Sequence, residues 1–155
     1  MMNSMRFENV SSYLIIALPF FLISGPFLSD LTVTFISIAF LIKCVKLRNF
    51  SFFNNFFFKL SIIFYLYLIL NSFINFDNIN SLKYSFTFIR FPVFIIAVIF
   101  LLNNNKKLLN YFFYSLLLSF LILLIDGFFQ YFTEKNILGL KIDKTYRVSS
   151  FFGDE

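Results

Sequence analysis

The sequence predicts an all-α protein, a polytopic transmembrane helical bundle of about five spanning helices with a cytoplasmic amino terminus. Three observations carry that expectation. Hydrophobic residues make up 59% of the 155-residue chain, 28 of them Phe, and only 14% of residues are charged; a soluble domain holds about 25% charged residues and about half apolar ones. The apolar excess, with a mean hydropathy of +0.83, is gathered into runs rather than spread out. At about 1.5 Å per helical residue, a run of about eighteen residues crosses a hydrocarbon core of about 30 Å. Finally, Lys and Arg concentrate in alternate interruptions between the runs, as the positive-inside rule requires. Little chain is left for a globular domain.

The first span is expected over residues 11–28, where Pro19, Gly25 and Pro26 mark a kinked helix. A cleaved signal peptide is the competing reading, but no A-x-A-like site follows. Ser29 and Asp30 make a tight turn into the second span, residues 31–45. That run is short, so the Lys43 amine is expected to reach the headgroups while its stem stays in lipid. In residues 46–59, Lys46, Arg48 and Lys59 interleave with Phe50, Phe52, Phe53, Phe56, Phe57 and Phe58, the pattern of a loop lying on an anionic leaflet. Residues 60–76 form the third span, 77–83 a polar turn, 84–102 the fourth span, 103–107 another turn and 108–125 the fifth span. The chain from residue 126 is polar enough to leave the membrane. Residues 1–125 are thus read as the transmembrane bundle, and 126–155 as an external segment leading to a further span.

Orientation follows from the cations. Arg6, Lys43, Lys46, Arg48, Lys59, Lys106 and Lys107 fall on one side, and the turns on the other hold only Lys83. The cation-rich side is the cytoplasmic one. The same distribution accounts for the net charge of +5 through topology, so no nucleic-acid partner is expected. With no His and the single Cys44, neither a His-containing zinc site, a Cys/His catalytic pair nor an intrachain disulfide can be assembled. Phosphate-binding GxxxxGK[ST] and GxGxxG patterns are missing as well. No metal and no cofactor is expected.

Arg90 lies inside the fourth span, six residues past Tyr84, roughly 9 Å along a helix axis. A mid-membrane Arg costs about 2.5–3.5 kcal/mol on insertion scales, so something should offset it. Snorkelling to the outer headgroups is one explanation. An anion site is the other, because a guanidinium offers a planar fork of donors matched to carboxylate or phosphate oxygens. Pro92 beyond it is expected to bend the helix. Asp126 ends the fifth span and Gln130 shares its face if the helix continues. A short loop makes the fourth and fifth helices antiparallel, so Asp126 is expected to face Arg90 near the outer surface and lower its burial cost; an ordinary polar residue ending a helix is the bland alternative. Arg147, outside the membrane on this topology, reads either as a phosphate contact or as a solvated loop residue.

The end of the chain carries a composite pattern: Asp126-Gly127-Phe128-Phe129-Gln130-Tyr131, then Asn136-Ile137-Leu138-Gly139, then Arg147-Val148-Ser149-Ser150-Phe151-Phe152-Gly153-Asp154. It resembles the central part of bacterial O-antigen ligase and O-antigen polymerase family membrane proteins, in which D-G-x-x-Q-Y is followed by N-I-x-G and R-x-S-G-x-F-G-D. The segment from Ser85 to Phe91, with Arg90, is similar to that family's preceding helix. Ser150 stands where the family usually has Gly. The family's later helices, and the external loop bearing a His thought to be catalytic, have no counterpart in these 155 residues, which are therefore expected to be an amino-terminal portion that is inactive alone.

What the resemblance implies is a metal-independent glycosyltransferase of the bacterial inner membrane. It would transfer a polyprenyl-diphosphate-linked glycan to lipid A-core or to another glycan acceptor at the outer face, with membrane lipid around it. Arg90 and Arg147 would stabilise the diphosphate, and Asp126 and Gln130 would hold the arginines or shape the opening. A non-enzymatic helical-bundle membrane protein and a transporter fragment are the alternatives, since intramembrane charges also serve packing and ion pathways.

Overall fold

The structure, a computed structural model, describes residues 2–74, 79–135, 137 and 139, with side chains for 7–74, 82–135, 137 and 139. Among these residues the protein is all-α. Its helices are α1 (Met2–Ser24), α2 (Pro26–Leu47), α3 (Phe56–Ile74), α4 (Ile79–Thr87), α5 (Arg90–Asn104) and α6 (Lys107–Thr133), with a short 3-10 helix over Ser51–Asn54. Five stretches are long and apolar enough to cross a membrane: Phe7–Ser24, Pro26–Leu47, Phe56–Ile74, Leu82–Asn104 and Lys107–Thr133. The fourth is shared by α4 and α5.

The polarity of the interior is that of a membrane protein. Ser11, Ser29, Thr32, Ser37, Ser72, Ser115, Ser119, Asp126 and Gln130 are buried, while large apolar side chains such as Ile63, Leu70, Phe120 and Ile125 are exposed. In water that arrangement would be unfavourable; in lipid it is the stable one. Acyl chains solvate the apolar exterior, and small hydroxyl residues let helices approach closely and bond across the contact. On α6 the buried residues Leu108, Ser115, Ser119, Asp126 and Gln130 recur at spacings that keep one helical face inward.

Local chemistry sets the boundaries. The first turn lies at Gly25, not at Ser29 and Asp30. Gly25 has φ +125°, open to glycine and rarely adopted by an L side chain. Pro26 then opens α2, where its missing N–H is no loss and its fixed φ is already helical. Ser29 and Asp30 therefore belong to α2, and the Ser29 hydroxyl donates to the Pro26 carbonyl at 2.9 Å. At the other end of α2, Arg48 takes φ 50°. Its N–H bonds to the Val45 carbonyl at 3.1 Å, and the Asn49 N–H to the Cys44 carbonyl at 3.2 Å. This is the paired closure of a Schellman motif, with Arg where Gly is usual. Asn55 caps α3, its side-chain oxygen accepting the Phe57 N–H at 2.9 Å.

The loop expected over residues 46–59 is thus short, and it is not simply a headgroup segment. Phe50, Phe56 and Phe57 are exposed. Phe52 and Phe53 instead pack inward against the fully buried Phe40, at ring separations of 6.0 and 6.4 Å.

The chain forms two compact units, Met1–Ser11 with Leu31–Lys106, and Ser12–Asp30 with Lys107–Glu155. In the first, Phe40 of α2 meets Phe100 of α5 at 5.6 Å, and Ser37 of α2 meets Arg90. Contacts that rise together in sequence make α2 and α5 parallel. Phe64 of α3 meets Phe88 at 6.1 Å, and the Ser72 hydroxyl bonds to that of Ser85 on α4. In the second unit, the Ser115 hydroxyl of α6 donates to the Ile16 carbonyl of α1.

Candidate functional site

Arg90 owes its position to Pro92. In a regular helix the Phe88 carbonyl would accept the N–H of residue 92, but Pro92 has none and its ring crowds that carbonyl. The Phe91 N–H takes the Phe88 carbonyl instead, at 3.0 Å, while the Ile89 N–H reaches Phe86 at 3.4 Å. Phe88 and Ile89 form a tightened turn, with Ile89 still in the right-handed helical region, and Arg90 becomes the first residue of α5. The expected bend is therefore a break four residues upstream of the proline. Such interruptions at membrane depth persist where neighbouring side chains satisfy the backbone.

Here α2 does so. The buried Ser37 hydroxyl lies 3.0 Å from the Arg90 carbonyl and 2.8 Å from the Val33 carbonyl of its own helix, and its single proton serves one at a time. The half-buried Arg90 guanidinium donates from Nη1 to the Thr34 hydroxyl at 3.3 Å, and its carbon lies 5.1 Å from the centroid of the Phe91 ring. A planar cation is thus seated against α2 at the N-terminal, positive end of a helix. Sequence reasoning found Arg90 and missed Thr34 and Ser37. Their spacing of three residues on an apolar helix was the available signal.

Asp126 and Gln130 are fully buried on α6, which continues through Thr133, past the point where the fifth span was expected to end. One turn apart, they share a face. The Asp126 carboxylate accepts the Ile137 N–H at 2.9 Å, folding the chain beyond the helix back onto it. The Thr133 hydroxyl donates to the Phe129 carbonyl at 2.7 Å, and Glu134 then turns the chain with φ 58°. Arg90 belongs to the first compact unit, and Asp126 and Gln130 to the second. Arg147 and the Arg147 to Asp154 motif lie outside the described residues.

A second charged site was not anticipated. Lys43 does not reach for the headgroups: its side chain is 10% exposed and its amine lies 2.6 Å from the Glu8 carboxylate of α1. The amine also sits 4.1 Å from the Phe100 ring centroid and 5.1 Å from that of Phe7. Cation, carboxylate and two ring faces bind α1, α2 and α5 at one level. The signal lay in the sequence, because Glu8 and Lys43 stand at nearly equal distances from Gly25 and a turn there brings them together. Among the described residues no three of His, Cys, Asp and Glu gather in one place.

Comparison with family models, with curated proteins and with solved structures returned no match.

Proposed function

We propose that this chain is the front part of an inner-membrane glycosyltransferase of the O-antigen ligase and polymerase kind. Arg90 and Arg147 contact the diphosphate of a polyprenyl-linked glycan at the outer face, and Asp126 and Gln130 shape the approach. The reading is carried by the three-part pattern from Asp126 to Asp154, together with an upstream intramembrane arginine that begins a helix. The chemistry suits it. A diphosphate leaving group gathers negative charge as the glycosyl bond breaks, and fixed donors aimed at that charge lower the barrier. Guanidinium groups match its oxygens two at a time, and a helix N-terminus adds a favourable dipole. Lipid A-core or a second glycan would be the acceptor.

A non-enzymatic bundle is the rival reading. It is favoured by the seating of Arg90 on Thr34 and Phe91, which packing alone would also produce. One experiment separates the two. A photoreactive polyprenyl diphosphate analogue is expected to label the chain in native membranes, and excess farnesyl diphosphate, but not farnesol, to displace it. Arg90→Lys keeps the charge, loses the fork and should label roughly tenfold less. Labelling that ignores the diphosphate overturns the glycosyltransferase reading and leaves the bundle.

A further inference from the structure

The Arg90 site is built from two helices, and α2 has no part in the reading given above. Thr34 and Ser37 stand on one face of α2, and both meet Arg90. Ser37 reaches the Arg90 main-chain carbonyl at 3.0 Å, in exchange with the Val33 carbonyl at 2.8 Å. Thr34 accepts one guanidinium donor at 3.3 Å. The Phe91 ring lies 5.1 Å from the guanidinium carbon. A long side chain on an interrupted helix would otherwise sample many rotamers, at a cost in entropy each time it is ordered by a ligand. Main chain, one edge and one face are here restrained in advance, which is how a binding group avoids that cost. The hydroxyls do this without negative charge, so they do not compete with an anion for the arginine.

We propose that Thr34 and Ser37 are positioning residues that fix the direction of the Arg90 guanidinium for a lipid diphosphate, a role that rests on the diphosphate reading of Arg90. Thr34 sets the side chain through its acceptor oxygen, and Ser37 anchors the helix start that carries it.

The test uses the full chain in lipid nanodiscs, with 15N-labelled arginine for NMR and farnesyl diphosphate as the probe. Thr34→Val is expected to move the Arg90 guanidinium signals and weaken binding roughly fivefold, about the net loss of one ordinary hydrogen bond. Thr34→Ser, which keeps the acceptor, is expected to restore both; a packing role for the methyl group would give the reverse order. Arg90 signals that stay in place in Thr34→Val, or an affinity that stays native, overturn the positioning role while the diphosphate reading stands. Native binding by Arg90→Lys overturns that reading, and the positioning role falls with it.

Discussion

Two cations sit on opposite ends of the same helix pair and are treated differently. Lys43, near the carboxyl ends of α2 and α5, is held by a carboxylate and two aromatic faces and is almost wholly enclosed. Arg90, at the start of α5, is half-buried and meets α2 through neutral hydroxyl groups where the helix is broken. The contrast follows from chemistry. An ammonium is a compact point charge that one carboxylate can neutralise, whereas a guanidinium is a plane of five donors suited to recognising oxygens in pairs. Lys43 is placed to hold three helices together, and on the diphosphate reading proposed above Arg90 is placed to be aimed. Stability should therefore depend on the first and recognition on the second.

The largest effect is expected from Lys43. Lys43→Ala leaves the part-buried Glu8 carboxylate without its ammonium and removes the cation from the rings; it should cost about 2–3 kcal/mol in detergent unfolding. That is below the roughly 3–5 kcal/mol of a fully buried pair, because the Glu8 side chain keeps 30% of its exposure. Arg90→Lys in the same assay should cost clearly less, and equal losses at the two positions would erase the contrast. A smaller loss, about 1 kcal/mol, is expected for Ser37→Ala, which removes the hydroxyl bonding the start of α5. It should appear as faster amide exchange at Arg90 and Phe91, with the Lys43 end unaffected. Smallest, and opposite in sign, is Arg48→Gly, which relieves a left-handed backbone at the end of α2 and should raise stability by up to about 1 kcal/mol. A loss there would mean that the Arg48 side chain makes contacts outweighing its strain.

The spans were legible because apolar runs of the right length have few other solutions in a chain this poor in charge. Their ends were less so. Gly25 and Pro26 look alike whether a helix kinks or stops, and only the φ of +125° at Gly25 decides for a stop. Pro92 was visible, yet its steric effect falls on the carbonyl of Phe88, so the break precedes Arg90 instead of following it. Lys43 looked like a snorkelling residue because its partner is distant in sequence. Once the turn is set at Gly25, Glu8 becomes its neighbour. Asp126 looked like the end of a span because an acid usually closes an apolar run. Its place on the buried face of α6, in register with Ser115, Ser119 and Gln130, carries the helix on to Thr133. Thr34 and Ser37 left only the weak signal of their spacing, since hydroxyls on membrane helices commonly serve close packing.

The side of the membrane to which Arg90 opens tests the central claim most directly. In a Cys44→Ser background, Arg90→Cys would carry the chain's single thiol, and a membrane-impermeant maleimide would be applied to intact spheroplasts before permeabilisation. Blocking from outside is the expected result, placing the start of α5 within reach of a diphosphate at the outer face. A thiol protected from outside and labelled only after the cytoplasmic face is exposed would contradict the account.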